Sequence, residues 1–152
     1  MQTQIHGAEK MGVVYKKNLG HYDVHHNNKI TTCTPSAKLW KEFSDDLQVN
    51  SGRAMTAVKE KHMDPIAVGD RVRFIPTLDG GGMILEVLPR RNYLARASAK
   101  PMPGAHAFEQ VIAANLDQVV PVFAAANPTP RWHLLDRILV TAESYELPSQ
   151  IL

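Results

Sequence analysis

A single cysteine, Cys33, is all that the 152 residues contain, which excludes an internal disulfide and a cysteine-rich zinc cluster. No stretch approaches the roughly 18 consecutive apolar residues of a membrane span. The first residues, MQTQIHGAEK, lack the apolar core of a signal peptide. The expected setting is therefore the reducing cytoplasm, with no membrane partner. Also missing is any GxxxxGK[ST] sequence, whose backbone amides would cradle phosphates, whose lysine would reach the outer phosphates and whose hydroxyl would hold magnesium. Nucleotide hydrolysis by these residues alone is not expected.

What is present is an ordinary globular composition, 44% hydrophobic and 21% charged, with room for one domain or two small ones. The net charge of +2 hides an uneven distribution. Residues 1–104 hold 15 Lys and Arg against 10 Asp and Glu, whereas residues 105–152 hold 2 against 5, so the parts carry +5 and −3. Two modules are indicated, the first better suited to an anionic partner such as nucleic acid.

The first module reads as short strands. GVVYKKN is bounded by Asn18-Leu19-Gly20; HYDVHH sets Tyr22 and Val24 against His21, Asp23 and His25; KITTCT follows Asn27-Asn28 and is rich in β-branched residues. Further on, VGDRVRFIPT places Val72 and Phe74 on one face and Arg71 and Arg73 on the other, and Asp79-Gly80-Gly81-Gly82 turns the chain into MILEVLP. Three strands, an insertion at residues 36–65 and two more strands form the pattern of an OB-fold barrel, with SH3-like barrels as the nearest competitor. Within the insertion, Leu39, Trp40 and Phe43 share one face of a short helix, SDDLQVNSGR has turn composition, and AMTAVKEKHM reads as a second short helix or a mobile segment.

The expected organisation is a barrel domain at 1–89, with 1–10 a flexible N-terminus, a linker at 90–109 containing Pro101, Pro103 and Gly104, and a different unit at 110–152. That unit changes period. DQVVPVFAAA is a short apolar run, Asn127-Pro128-Thr129-Pro130 a turn with an N-cap expected at Thr129 and proline at the first helical position, and Leu135, Ile138, Leu139 and Ala142 follow helical spacing. With SQIL as a further strand start, the sum is a βαβ unit of a parallel sheet. Pro121 is discordant, because it cannot donate a ladder bond. Trp132 and Leu135 are expected in the core.

Candidate chemistry is sparse. His21, Asp23 and His25 share one strand face, but ligands on one flat strand do not readily converge on a tetrahedral ion, so a solvated face is the reading and no metal site is expected. Cys33, inside an apolar strand without a cationic neighbour in sequence, reads as inert core. The stronger case is basic: Lys16 and Lys17 beside the first hairpin loop with His21 across it, Arg71 and Arg73 on a strand face, and Arg90, Arg91 and Arg96 after the last barrel strand with Tyr93 among them. OB folds bind oligonucleotides through their second and third strands and adjoining loops, by electrostatics and stacking.

VGDRVRF, GGMILEVLPRRNYLAR and QVIAANLDQVVPVFAAANPTPRWHLLDRILVTAE together resemble the N-terminal part of the ribosome small-subunit-dependent GTPases (GTPase A), the circularly permuted GTPases of bacterial ribosome assembly. The resemblance covers residues 11–35 and 66–152. Its most specific piece is Gln110 to Glu143, with Asn115, Asp117, Leu135, Asp136 and Arg137 at the pattern's positions. The resemblance implies an OB-fold domain that contacts small-subunit rRNA near the decoding region through the loop Lys16 to His21. It also implies a permuted GTPase domain opening with the guanine-reading NKxD motif, and a zinc-binding domain. GTP, magnesium and structural zinc are implied for the full-length family member, and none for these residues.

Departures accompany the match. Ser36-Ala37-Lys38 mimics the SAK motif of GTPases but precedes the βαβ unit and reads as coincidence, and the insertion after the third strand exceeds the family pattern. In the permuted order NKxD would follow the strand that SQIL begins, so the sequence reads as stopping short of the nucleotide site. Two functions compete: the RNA-docking part of a GTPase acting in late small-subunit maturation, and a stand-alone OB-fold RNA-binding module without catalysis. An incomplete βαβ unit is also expected to dock on the barrel, pair with a second copy, or stay mobile.

Overall fold

Alternation in HYDVHH becomes burial in the folded chain: Tyr22 and Val24 are fully enclosed while His21 and His25 face solvent. The computed structural model describes residues 7–48, 66–97 and 109–151. Strands β1 (Lys10–Asn18), β2 (His21–His26) and β3 (Lys29–Pro35) form an antiparallel meander. Strands β4 (Arg71–Pro76) and β5 (Gly82–Val87) form an antiparallel pair; β4 joins β1 antiparallel and β5 joins β3 parallel. The result is a closed barrel of order β1-β2-β3-β5-β4, the order of an OB fold.

Val14, Tyr22, Val24, Cys33, Leu39, Ile66, Val72, Phe74 and Ile84 fill the barrel. Each fully buried aliphatic or aromatic side chain contributes roughly 1.5–3 kcal/mol. Leu39 enters from α1 (Ala37–Gln48), whose first turn is capped by the Ser36 hydroxyl accepting from the Leu39 amide at 3.2 Å. Trp40, expected beside Leu39, is exposed. The helix continues through Ser44-Asp45-Asp46, where a turn was expected. Ser and Asp are only mildly unfavourable inside a helix, and an anchored first turn outweighs that preference. Residues 49–65, including the expected second helix, lie outside the described residues.

Within the segment expected as a linker, β6 (Tyr93–Ala97) pairs antiparallel with β7 (Glu109–Ala114). Large apolar residues are few there, which concealed a strand whose Ala95 packs with Val111 of β7 and with Ala67, with Tyr93 and Tyr145 at the margin. The proline-containing residues between these strands lie outside the described residues.

Beyond β7 comes helix α2 (Trp132–Ser144), flanked by a parallel bridge between Val119 and Ser149. The Val119 amide donates to the Pro148 carbonyl at 2.8 Å and the Gln150 amide to the Val119 carbonyl at 3.0 Å. This is a βαβ arrangement with minimal strands. The expected strand through DQVVPVFAAA shortens to that single bridge, because Pro121 has no amide to donate and its partner is itself short. The helix N-cap is Arg131, without a side-chain bond, instead of Thr129. Trp132, expected in the core, is 65% exposed, Leu135 is half-buried, and Ala142 is the buried residue of the helix.

Candidate nucleic-acid interface

The tripeptide Val68-Gly69-Asp70 joins the barrel to the β6–β7 hairpin. Val68 bridges Ala113, and its carbonyl accepts from the Ala114 amide at 2.8 Å. Gly69 has φ +89°, and a Cβ there would lie 2.1 Å from the Ala114 carbonyl oxygen, so only glycine permits this approach. The Asp70 carboxylate is completely buried; it accepts from the Ala67 amide at 2.8 Å and from Arg90 Nε and Nη2, both at 2.7 Å. Asn115 completes the junction, donating to the Gly69 carbonyl at 2.9 Å and accepting from the Arg91 amide at 2.9 Å.

This junction redistributes the basic residues expected to meet RNA. Arg90 is bound to Asp70. Arg91 donates to the Leu116 carbonyl at 2.8 Å and to Asp117 at 2.6 Å. Arg96 donates to Gln110 across the hairpin at 3.0 and 2.8 Å. Arg73 is paired with Glu86 and with Glu9. Arg71, exposed on the outer face opposite Val13, makes among the described residues a 3.5 Å contact to the Pro89 carbonyl. Four of these arginines thus sit against protein acceptors; proximity in sequence could not reveal it.

At the β1–β2 hairpin the situation differs. Lys16 and His21 are in solvent, and among the described residues Lys16 has no ion-pair partner. Lys17 is half-buried, its Nζ donating to the Ile66 carbonyl at 3.2 Å. Leu19 stands fully exposed at the tip, and Gly20, with φ +74°, closes the turn. Tyr15, which the sequence reading passed over, is 66% exposed next to Lys16. A regular strand would have turned either Tyr15 or Lys16 inward, but here both face outward.

A neighbouring groove of about 510 Å³ runs between β2–β3 and the β4–β5 turn, lined by His21, Thr32, Thr34, Thr77, Asp79 and Gly81 among others. The Asp79 carboxyl is held below its ordinary range by the Thr77 hydroxyl, then by the Gly81 amide, both donating to Oδ1. An ionised carboxylate beside the groove disfavours phosphate there. On β2, Asp23 accepts from the Thr32 hydroxyl at 2.9 Å between the outward His21 and His25. Among the described residues no group of three or more His, Cys, Asp or Glu is placed to hold a metal ion. Cys33 is buried; its thiol is pushed up to about 12 by burial and, secondarily, by Asp23, which makes it a neutral core side chain at physiological pH.

The Arg90 and Asn115 side of the junction and all of α2 fall within residues 87–152, which match the profile of the RsgA GTPase family. The small ribosomal subunit biogenesis GTPase RsgA of Porphyromonas gingivalis (strain ATCC 33277) is 30% identical over 139 residues, 90% of this chain and 38% of that protein. Its counterpart in Bacteroides fragilis (strain ATCC 25285) is 38% identical over 89 residues, 59% of this chain and 27% of that protein. The crystal structure of YloQ, a circularly permuted GTPase, superposes with a TM-score of 0.53 at 25% identity, covering 96% of this chain and 40% of that one. The chain therefore spans between about a quarter and two fifths of the length of these proteins. The likeness runs through barrel, junction and helix alike, and the chain is similar to part of the small ribosomal subunit biogenesis GTPases of the RsgA family.

Proposed function

We propose that this chain docks on RNA of the small ribosomal subunit through the β1–β2 hairpin of its barrel, as the RNA-binding part of a GTPase of late subunit maturation in the cytoplasm. The observation that carries the reading is Lys16, solvent-exposed beside the hairpin tip while Arg73, Arg90, Arg91 and Arg96 are engaged with protein acceptors. The names of the relatives supply the partner, and the basic excess of residues 1–104 suits it. Lys17 and His21 flank the same tip, and Arg71 lies one strand over on the outer face.

The residues present do not fit the groups implied for a full-length member. No GxxxxGK[ST] loop exists to hold GTP and magnesium. The one thiol is buried and protonated, unsuited to zinc.

Lys16→Glu tests the docking. Binding to small subunits across a salt series should weaken and lose about 0.9 of the logarithmic salt slope for each phosphate contact removed. An unchanged affinity and slope would take the hairpin out of the interface.

A further inference from the structure

From Met11 to Val14 exposed and covered positions alternate, ending on the buried Val14, and then the pattern breaks: Tyr15 and Lys16 both stand in solvent. The cause is a register shift. Val14 faces Val24 and Lys16 faces Asp23, so Tyr15 has no partner on β2 and bulges from the ladder. A bulge of this kind re-aims a side chain. Here it holds a large aromatic ring, 66% exposed, directly beside a lysine. Among the described residues the ring packs against no other ring and its hydroxyl meets no hydrogen-bond partner. Barrel closure gives no reason for an aromatic residue at this position, since the neighbouring Val14 and Val24 supply the core contacts.

We infer that Tyr15 is a stacking platform for an unpaired RNA base, with Lys16 neutralising the phosphate next to it. This rests on the reading that the β1–β2 hairpin meets RNA. Every base has a π face, and surfaces for single strands combine aromatic rings with adjacent cations in this way. A duplex keeps its base faces covered, so the platform selects loops, bulges and ends of the RNA. The strand runs on the Lys16 side because the groove beyond His21 carries the ionised Asp79.

The test uses the full chain, a short single-stranded RNA carrying a fluorescent base analogue, a duplex of the same length, and intact small subunits. Tyr15→Phe should bind the single strand as the unsubstituted chain does. Tyr15→Ala should bind it roughly five- to hundredfold more weakly, with the salt slope unchanged and duplex binding unaffected, whereas Lys16→Ala should lower the slope by about one. Circular dichroism should report an intact barrel for each variant, as expected for exposed positions. Equal binding by Tyr15→Ala and the unsubstituted chain would overturn the stacking role while leaving the docking surface standing. Weaker binding of Tyr15→Ala to subunits but not to the single strand would overturn it in favour of a protein contact. Failure of the unsubstituted chain to bind either RNA or subunits would overturn the docking reading as well.

Discussion

Arg90 grips Asp70 side-on, Nε to Oδ1 and Nη2 to Oδ2, with both distances 2.7 Å and the carboxylate wholly buried. Because Asp70 immediately precedes β4 and Arg90 lies between β5 and β6, this bidentate pair ties the barrel to the hairpin. Removing one partner strands a buried charge. Arg90→Ala should therefore cost about 3–5 kcal/mol in chemical denaturation. Arg90→Lys should fall between, since an ammonium cannot reproduce the planar fork. Asp70→Ala combined with Arg90→Ala should cost less than the separate losses added together. Strict additivity would show that the two groups are not energetically coupled.

Gly69 and Gly80 share nearly the same backbone conformation, φ +89° and +84°, but not the same surroundings. A Cβ at Gly80 meets nothing within 4 Å, whereas one at Gly69 collides with the Ala114 carbonyl. Gly80→Ala should cost only the left-handed strain, about 1–2 kcal/mol. Gly69→Ala should cost clearly more and speed amide exchange at Ala114, whose bond to the Val68 carbonyl would be displaced. Equal costs for the two variants would mean that the close approach relaxes freely.

Cys33 makes a pH prediction. Its thiol titrates near 12 in the folded chain and near 9 when unfolded, so between these values the folded state retains a proton that the unfolded state has lost. Stability contributed by this group is complete below about pH 9 and declines as pH rises towards 12. The difference between the stability curves of the unsubstituted chain and Cys33→Ala isolates it from tyrosine and lysine titrations. That difference should shrink steadily above pH 9; a constant difference would contradict the burial that raises the thiol.

The 152 residues contain no GxxxxGK[ST] sequence to cradle the phosphates of GTP. Calorimetry on the 152-residue chain should show no saturable GTP binding, with or without small subunits. Binding that saturates would place a nucleotide site where neither the sequence motifs nor the described residues offer one.

The barrel was legible because its strands obey period two: Tyr22 and Val24, Val72 and Phe74 are inward where alternation puts them, and the Asp79-Gly80-Gly81 turn falls between β4 and β5. The β6–β7 hairpin was not, because its core contacts are alanines and Val111, too small to give a hydrophobic pattern. Helical spacing identified α2, but Trp132 shows that spacing cannot say whether a face has something to pack against. For the candidate site, the composition pointed to basic positions without distinguishing an arginine in solvent from one folded onto a carboxylate 20 residues away. Tyr15 escaped because a bulge is a property of two strands, and only one of them carries the residue.

The second unit should be the less stable part of the chain. Helix α2 buries Ala142 fully, leaves Leu135, Ile138 and Leu139 half-covered, and exposes Trp132 and Val140. Its flanking strands consist of one parallel bridge, Val119 to Ser149, which cannot cover a helix face or sustain itself. What holds the unit is local to its ends: Tyr145 against Tyr93, and the Leu147 amide donating to the Ala142 carbonyl at 2.9 Å. Opening α2 therefore breaks few long-range contacts, whereas opening β2 breaks ladders to both β1 and β3. Local opening free energies scale with such contacts. Native-state hydrogen exchange on a dilute, demonstrably monomeric sample should find amides of residues 132–144 exchanging well before those of β1 to β5. If raising the protein concentration slows exchange in α2 and leaves the barrel unchanged, a second copy covers the exposed face. Protection of α2 equal to that of the barrel in the monomer would show that the contacts at Tyr145 and Leu147 suffice to make the two units one cooperative body.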